Sequence, residues 1–164
     1  MYRYLTLLCV LLISVFPTVF ATESKPMIEL HARCIDDPLC RFRDQELELE
    51  LEVFNAGREA VSLPTEYYQR RGPVIKLVDN RSGKRSTVGM GQPMPQLLDQ
   101  LQVIEPGQSY RFRWIIMPED IQSFALRPVD LTVEFGLSLN PRLAGADAKM
   151  ITTRLHVAAD PAAL

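Results

Sequence analysis

The stretch Glu46 to Phe54 restricts most severely what this chain can become, because Leu47, Leu49, Leu51 and Val53 alternate with Glu46, Glu48, Glu50 and Glu52. A period of two puts the apolar side chains on one face of an extended strand and the carboxylates on the other; a helix would scatter both sets around its circumference. The same rhythm recurs in Ser109 to Ile116, where Tyr110, Phe112, Trp114 and Ile116 alternate with Arg111 and Arg113. It returns in Asp130 to Leu139, where Leu131, Val133, Phe135, Leu137 and Leu139 alternate with Thr132, Glu134, Gly136 and Ser138. Strands with one greasy face need a shared core, and Trp114, in phase with Tyr110 and Phe112, is expected at its centre.

Shorter strands are expected at Pro26 to Arg33, Ala60 to Leu63, Pro73 to Asp79, Arg85 to Val88 and Met150 to Ala158. Asp79-Asn80-Arg81-Ser82-Gly83-Lys84 has the turn chemistry of a hairpin between two of them, and Asn55-Ala56-Gly57 and Glu105-Pro106-Gly107-Gln108 supply further turns. One short helix is expected, over Gln96 to Leu101. About eight short strands separated by turn signals predict an all-β antiparallel sandwich, since a parallel sheet would require crossover helices that the sequence lacks.

Residues 1–21 read as an export signal: Arg3 precedes the apolar run Leu5 to Phe16, and small residues close the segment at Val19 and Ala21. Thr6, Ser14 and Pro17 interrupt that run and no basic stop-transfer cluster follows, so cleavage is expected, with no membrane insertion of the mature chain. The destination is periplasmic or secreted. The fold is then expected over residues 22–157, with a frayed tail over 158–164. Cys9 leaves with the signal, and Cys34 and Cys40 remain as an even pair in an oxidising compartment, which predicts a disulfide closing a short loop around Asp36-Asp37-Pro38. The formal net charge of −2 provides no field for nucleic acid or an anionic lipid surface.

Three segments carry a resemblance. Leu51 to Leu63 contains Asn55-Ala56-Gly57, Val78 to Lys84 contains the Asp-x-x-x-Gly-Lys hairpin, and Ile104 to Tyr110 contains Pro106-Gly107-Gln108-Ser109 before the strand that ends near Trp114. These turns resemble those of immunoglobulin-like modules in bacterial exported proteins, and are most similar to the module of BsuPI-type proteinase inhibitors. The resemblance spans roughly residues 47–116 and implies an Ig-like sandwich of about seven to nine strands. It also implies proteinase inhibition as an activity, without assigning any residue an inhibitory role.

The remaining candidates are few. Tyr67-Tyr68-Gln69-Arg70-Arg71 gathers, between two strands, the residue types enriched at protein interfaces, and Tyr67, Tyr68, Arg70 and Arg71 are the expected binding residues of a presented loop. The plainer alternative has one tyrosine plugging the sandwich while the arginines keep the loop soluble. Met90-Gly91-Gln92-Pro93-Met94 offers two methionines for an adaptable apolar contact or a soft copper site, though with no histidine nearby. A His31, Cys34 and Cys40 metal set lacks a fourth ligand, and the glutamate row lacks the Asp/Asn/Gly loop of a calcium site. His31 and His156 stand far from any motif for nucleophilic catalysis, and phosphate-loop, metalloprotease and nucleophile-elbow patterns are absent from the sequence. The expectation is a non-catalytic module that binds a protein partner, without cofactor or metal. An inhibitor is its most concrete form; an envelope scaffold or a carbohydrate- or metal-binding accessory module is the alternative.

Overall fold

A computed structural model describes residues 27–142 and 149–161. The signal read over residues 1–21 lies outside them. The strands are β1 (Ile28–Cys34), β2 (Arg41–Phe42), β3 (Leu47–Asn55), β4 (Val61–Leu63), β5 (Val74–Asp79), β6 (Arg85–Val88), β7 (Gln102–Ile104), β8 (Ser109–Ile116), β9 (Asp130–Ser138) and β10 (Met150–Ala159). Two short helices, α1 (Thr65–Arg71) and α2 (Pro118–Gln122), and a 3₁₀ turn over Pro95–Asp99 complete the described chain.

One sheet has the order β1-β3-β8 and the other β2-β10-β9-β5-β6, while β4 and β7 form a separate ribbon. All neighbours are antiparallel except β10 and the two-residue β2. This is an antiparallel Ig-like β-sandwich, with the very short strands β2 and β7 added to the eight that the sequence predicts. A constant-type Ig domain places a fourth strand beside the one that β8 represents. Here the corresponding strand, β6, pairs with β5 in the opposite sheet, so β8 has β3 on one side and no strand on the other among the described residues.

The glutamate-leucine alternation works as a two-faced strand should. Leu47, Leu49, Leu51 and Val53 are buried in the core, and β9 supplies Leu131, Val133 and Phe135 from the facing sheet. On the outer face Glu52 pairs with Arg111 across β3 and β8 at 2.7 Å, and Glu50 pairs with Arg33 across β1 and β3 at 2.8 Å. The hairpin at Asp79 forms as its turn chemistry predicts. The buried Asp79 carboxylate accepts from the Arg81 N–H at 2.9 Å, the Ser82 hydroxyl at 2.8 Å and the Leu126 N–H at 3.1 Å. Cys34 and Cys40 are joined, with Cα atoms 5.4 Å apart, which bridges the end of β1 to the start of β2.

Four expectations require correction. Trp114 is half-buried at the border of the core, because β8 is an edge strand; the central volume belongs to Phe135, Leu49 and Leu51 on mid-sheet positions. The segment Tyr67 to Arg71 is part of helix α1, not a loop. The helix expected over Gln96 to Leu101 is the 3₁₀ turn Pro95–Asp99. The tail does not begin at residue 158: Ala158 and Ala159 pair with Arg41 and Phe42, and the buried Asp160 carboxylate accepts from Arg43 Nε at 2.6 Å. Residues 162–164 lie outside the described residues.

Candidate binding face

Helix α1 forms because its brackets are strong despite its length of seven residues. Pro64 precedes it, Glu66 sits in the first turn, Arg70 and Arg71 in the last, and Gly72-Pro73 stops it. Acidic residues near the start and basic ones near the end favour the helix dipole, and Glu66 meets Arg70 one turn later at 3.0 Å. Gly72 adopts φ 76° and ψ 170°, a region essentially restricted to glycine, and a Cβ there would overlap the Trp114 ring. The end of α1 is thereby laid against β8.

The four expected binding residues have separate fates. Tyr68 is only 2% exposed, and its hydroxyl donates to the Ser138 carbonyl at 2.8 Å, so it plugs the sandwich and cannot present a contact surface. Burial pushes its phenol pKa up, well above the ordinary range. Tyr67 is half-buried, with its ring edge-on to Tyr68 at 6.3 Å between centroids. Arg71 donates to the Gly91 carbonyl while the Gly91 N–H donates back to the Arg71 carbonyl at 2.8 Å, which pins the Met90-Gly91 segment against the helix. Only Arg70 is exposed. Of the two methionines beyond, Met90 is exposed and Met94 half-buried beside the 3₁₀ turn.

What Arg70 joins was not legible in advance. Gln69 and Arg70 of α1 line an open cleft of about 490 Å³ with Arg113, Trp114 and Ile115 of β8. Ile115 is 45% exposed, as is Met117 just beyond the strand. Gln69 accepts from the Tyr110 hydroxyl at 3.0 Å, and Tyr110 stacks on Phe112 at 5.9 Å, so the wall below the cleft is firmly seated. Burial, and then the charge of Glu66, push the Tyr110 pKa up. The face therefore offers a flat indole, a branched aliphatic side chain and two guanidinium groups at a sheet edge. Such a set suits planar, carboxylate-bearing or apolar partners.

Several polar groups elsewhere are mutually engaged. His156 Nε2 lies 2.8 Å from Asp130 Oδ1, which also accepts from Asn80 Nδ2 at 2.7 Å. His31 Nε2 is 3.3 Å from Glu29, and the disulfide removes both thiols from any ligand set with it. In the disulfide loop Asp37 accepts from Arg41 Nε at 2.6 Å and from the Leu39 N–H at 2.9 Å.

These partners set an acid limit. Hydrogen bonds hold Asp37 below the usual carboxylate range through Arg41, Glu52 through Ser109 and Arg111, Asp44 through Arg127, and Asp130 through Asn80 and His156. For Asp79 burial pushes upward, and the hydrogen bonds from Ser82, Arg81 and Leu126 together outweigh it. A carboxyl whose folded pKa is depressed stabilises the fold above its unfolded pKa, and that contribution is lost as pH falls through the folded one. Circular-dichroism melts are therefore expected to give a midpoint nearly constant from about pH 7 to about pH 5 and falling steeply below about pH 4. A midpoint unchanged at about pH 2.5 would show that these bonds do not favour the ionised forms.

No family model and no curated protein matches this chain. Similar solved structures include the Northeast Structural Genomics Consortium target SoR45, 13% identical over 84% of this chain and 88% of that one, with a TM-score of 0.40. Red sea bream transglutaminase is 10% identical over 82% of this chain and 16% of its own, with a TM-score of 0.45. The β-glucosidase EmGH1 from Erythrobacter marinus is 14% identical over 79% of this chain and 15% of its own, with a TM-score of 0.39. Likeness at this level carries no argument about what the present chain does.

Proposed function

We propose that this chain is an exported, non-catalytic binding module that engages another protein through the α1–β8 face. The observation that carries the reading is the cleft in which Arg70, Arg113, Trp114 and Ile115 meet, at a sheet edge that no other described strand covers. Trp and Arg are the residue types that most often anchor protein interfaces, and rigid elements hold them here. The Cys34–Cys40 disulfide supports an oxidising destination for the chain, periplasmic or secreted. Inhibition of a protease by occlusion is the concrete form that the likeness to BsuPI-type modules suggests.

The test compares residues 22–164 with an Arg70→Glu, Arg113→Glu double variant, each immobilised and exposed to periplasmic extract. Both arginines are exposed, so the melting midpoint should stay within about 2 °C. A protein held by the parent chain should be recovered about tenfold less by the variant. Equal recovery of every captured protein at equal stability removes this face from the function.

A further inference from the structure

Among the described residues β8 has a strand on one side only, and the charges along its other edge select what fits there. We propose that the outer edge of β8 takes up an extended acidic peptide as an added strand, with carboxylates at every second residue. This deepens the reading of the face as a protein-binding surface and rests on it.

The strand already bound to β8 shows the chemistry. In the β3–β8 register Glu52 lies opposite Arg111, Glu50 opposite Arg113 and Glu48 opposite Ile115. Arg111 reaches Glu52 at 2.7 Å and lies 3.9 Å from Glu50, whereas Arg113 has no ion-pair partner among the described residues. A strand paired on the other edge places its own outward side chains about 5 Å from those of β8, directly across from Arg111 and Arg113. Alternate residues of a strand stand about 6.8 Å apart, the spacing of Arg111 and Arg113 themselves. Carboxylates at that interval complete a Glu–Arg–Glu ladder across three strands. The next inward-facing residue of the added strand, beyond the one across from buried Phe112, lies across from Trp114, at the cleft that Gln69, Arg70, Arg113 and Ile115 also line.

Self-pairing is disfavoured by the same charges. An antiparallel β8–β8 contact centred on the strand sets Arg111 or Arg113 of one copy against Arg111 or Arg113 of the other, and like charges directly opposite are destabilising. Main-chain pairing supplies affinity in strand addition and alternate side chains supply selection, so an acidic alternating segment is the occupant the edge specifies.

Trp114 is the only tryptophan in the chain, which makes its emission a direct readout of the cleft. The probe is a capped peptide of about eight residues alternating Glu and Val, matched to the length of β8. Its controls are the Lys-for-Glu peptide and two forms N-methylated at alternate residues, each blocking one edge. The expected result is a saturable, salt-sensitive change in Trp114 emission with the Glu peptide. It should be about tenfold weaker in Arg113→Gln, absent with the Lys peptide, and abolished by N-methylation of one edge only. No response to the Glu peptide, an equal response to the Lys peptide, or an equal response to both N-methylated forms overturns strand addition. So does a dimer in sedimentation that Arg113→Gln tightens, since β8 would then hold a second copy. A silent Trp114 with the Arg70- and Arg113-dependent capture intact overturns the acidic strand alone; loss of that capture as well removes the protein-binding reading.

Discussion

Replacing Asn55 with Ala is expected to cost about 3–5 kcal/mol and to lower the melting midpoint by about 10 °C or more. The side chain is fully buried at the end of β3 and bonds in three directions. Its Nδ2 donates to the Glu59 carbonyl at 2.8 Å and the Ile104 carbonyl at 2.9 Å, while its Oδ1 accepts from the Gly57 N–H at 3.0 Å. Its backbone N–H donates to the Gln108 carbonyl at 3.0 Å, and its carbonyl accepts from the Gly107 N–H at 2.9 Å. One residue thus ties the turn after β3, the end of β7 and the turn into β8. Alanine keeps the backbone bonds but strips partners from two carbonyls and one amide, of which the Ile104 carbonyl lies in the buried part of the site. Asn55→Asp should be at least as damaging, because a carboxylate would face two carbonyl oxygens. Asn80→Ala is the control: that amide is exposed on the hairpin, and its loss should cost less than about 1 kcal/mol. Urea unfolding of the three variants decides the matter; an Asn55→Ala protein within about 1 kcal/mol of the parent would mean that water replaces the amide.

The importance of Asn55 was half visible in the sequence. Asn55-Ala56-Gly57 reads as a turn, and the structure places one there, but nothing local reveals that the amide also reaches Ile104, forty-nine residues away. The same division runs through the fold. Alternation in Glu46 to Phe54 and Asp130 to Leu139 is a local property, so the strands and their buried faces follow from it directly. Strand order is a property of pairing at a distance, and it decides which alternating strand ends at an edge. Trp114 therefore read as a core centre in a strand whose outer side is open. The candidate face was hidden for the same reason, since Arg70 and Arg113 become neighbours only when α1 packs on β8.

Two other misreadings had local signals that were outweighed. Pro64, Glu66 and the pair Gly72-Pro73 are helix brackets around Thr65 to Arg71, but seven residues are too few for periodicity to declare itself. The expected strand stops at Ala158; Ala159 lacks the bulk that marks a strand, and it joins the sheet with Asp160 anchored by Arg43 just beyond it. In both places a tertiary contact sets the local structure: Gly72 against the Trp114 ring in one, a partly buried ion pair in the other.

Tyr68 separates a binding loop from a structural plug most sharply. Tyr68→Ala is expected to lose about 3–5 kcal/mol, the range for emptying a large aromatic site, and to lower the yield of folded chain. Tyr68→Phe is the decisive variant. It keeps the ring in place and leaves the Ser138 carbonyl without its donor, at a cost of about 1–2 kcal/mol at neutral pH. The two proteins should then converge in alkali. Because burial raises the phenol pKa in the folded state, the neutral hydroxyl stabilises the fold fully below the unfolded pKa near 10, and that contribution is lost as pH rises through the folded value. The parent should therefore weaken above about pH 10 more than Tyr68→Phe does, so that the gap between their melting midpoints narrows. Capture of any protein partner should be unchanged in Tyr68→Phe at neutral pH, since the ring edge never reaches solvent. A phenylalanine variant as stable as the parent, with a parallel alkaline limb, would show that the hydroxyl is not held by Ser138; one that is fully stable yet loses the partner would return Tyr68 to the binding surface.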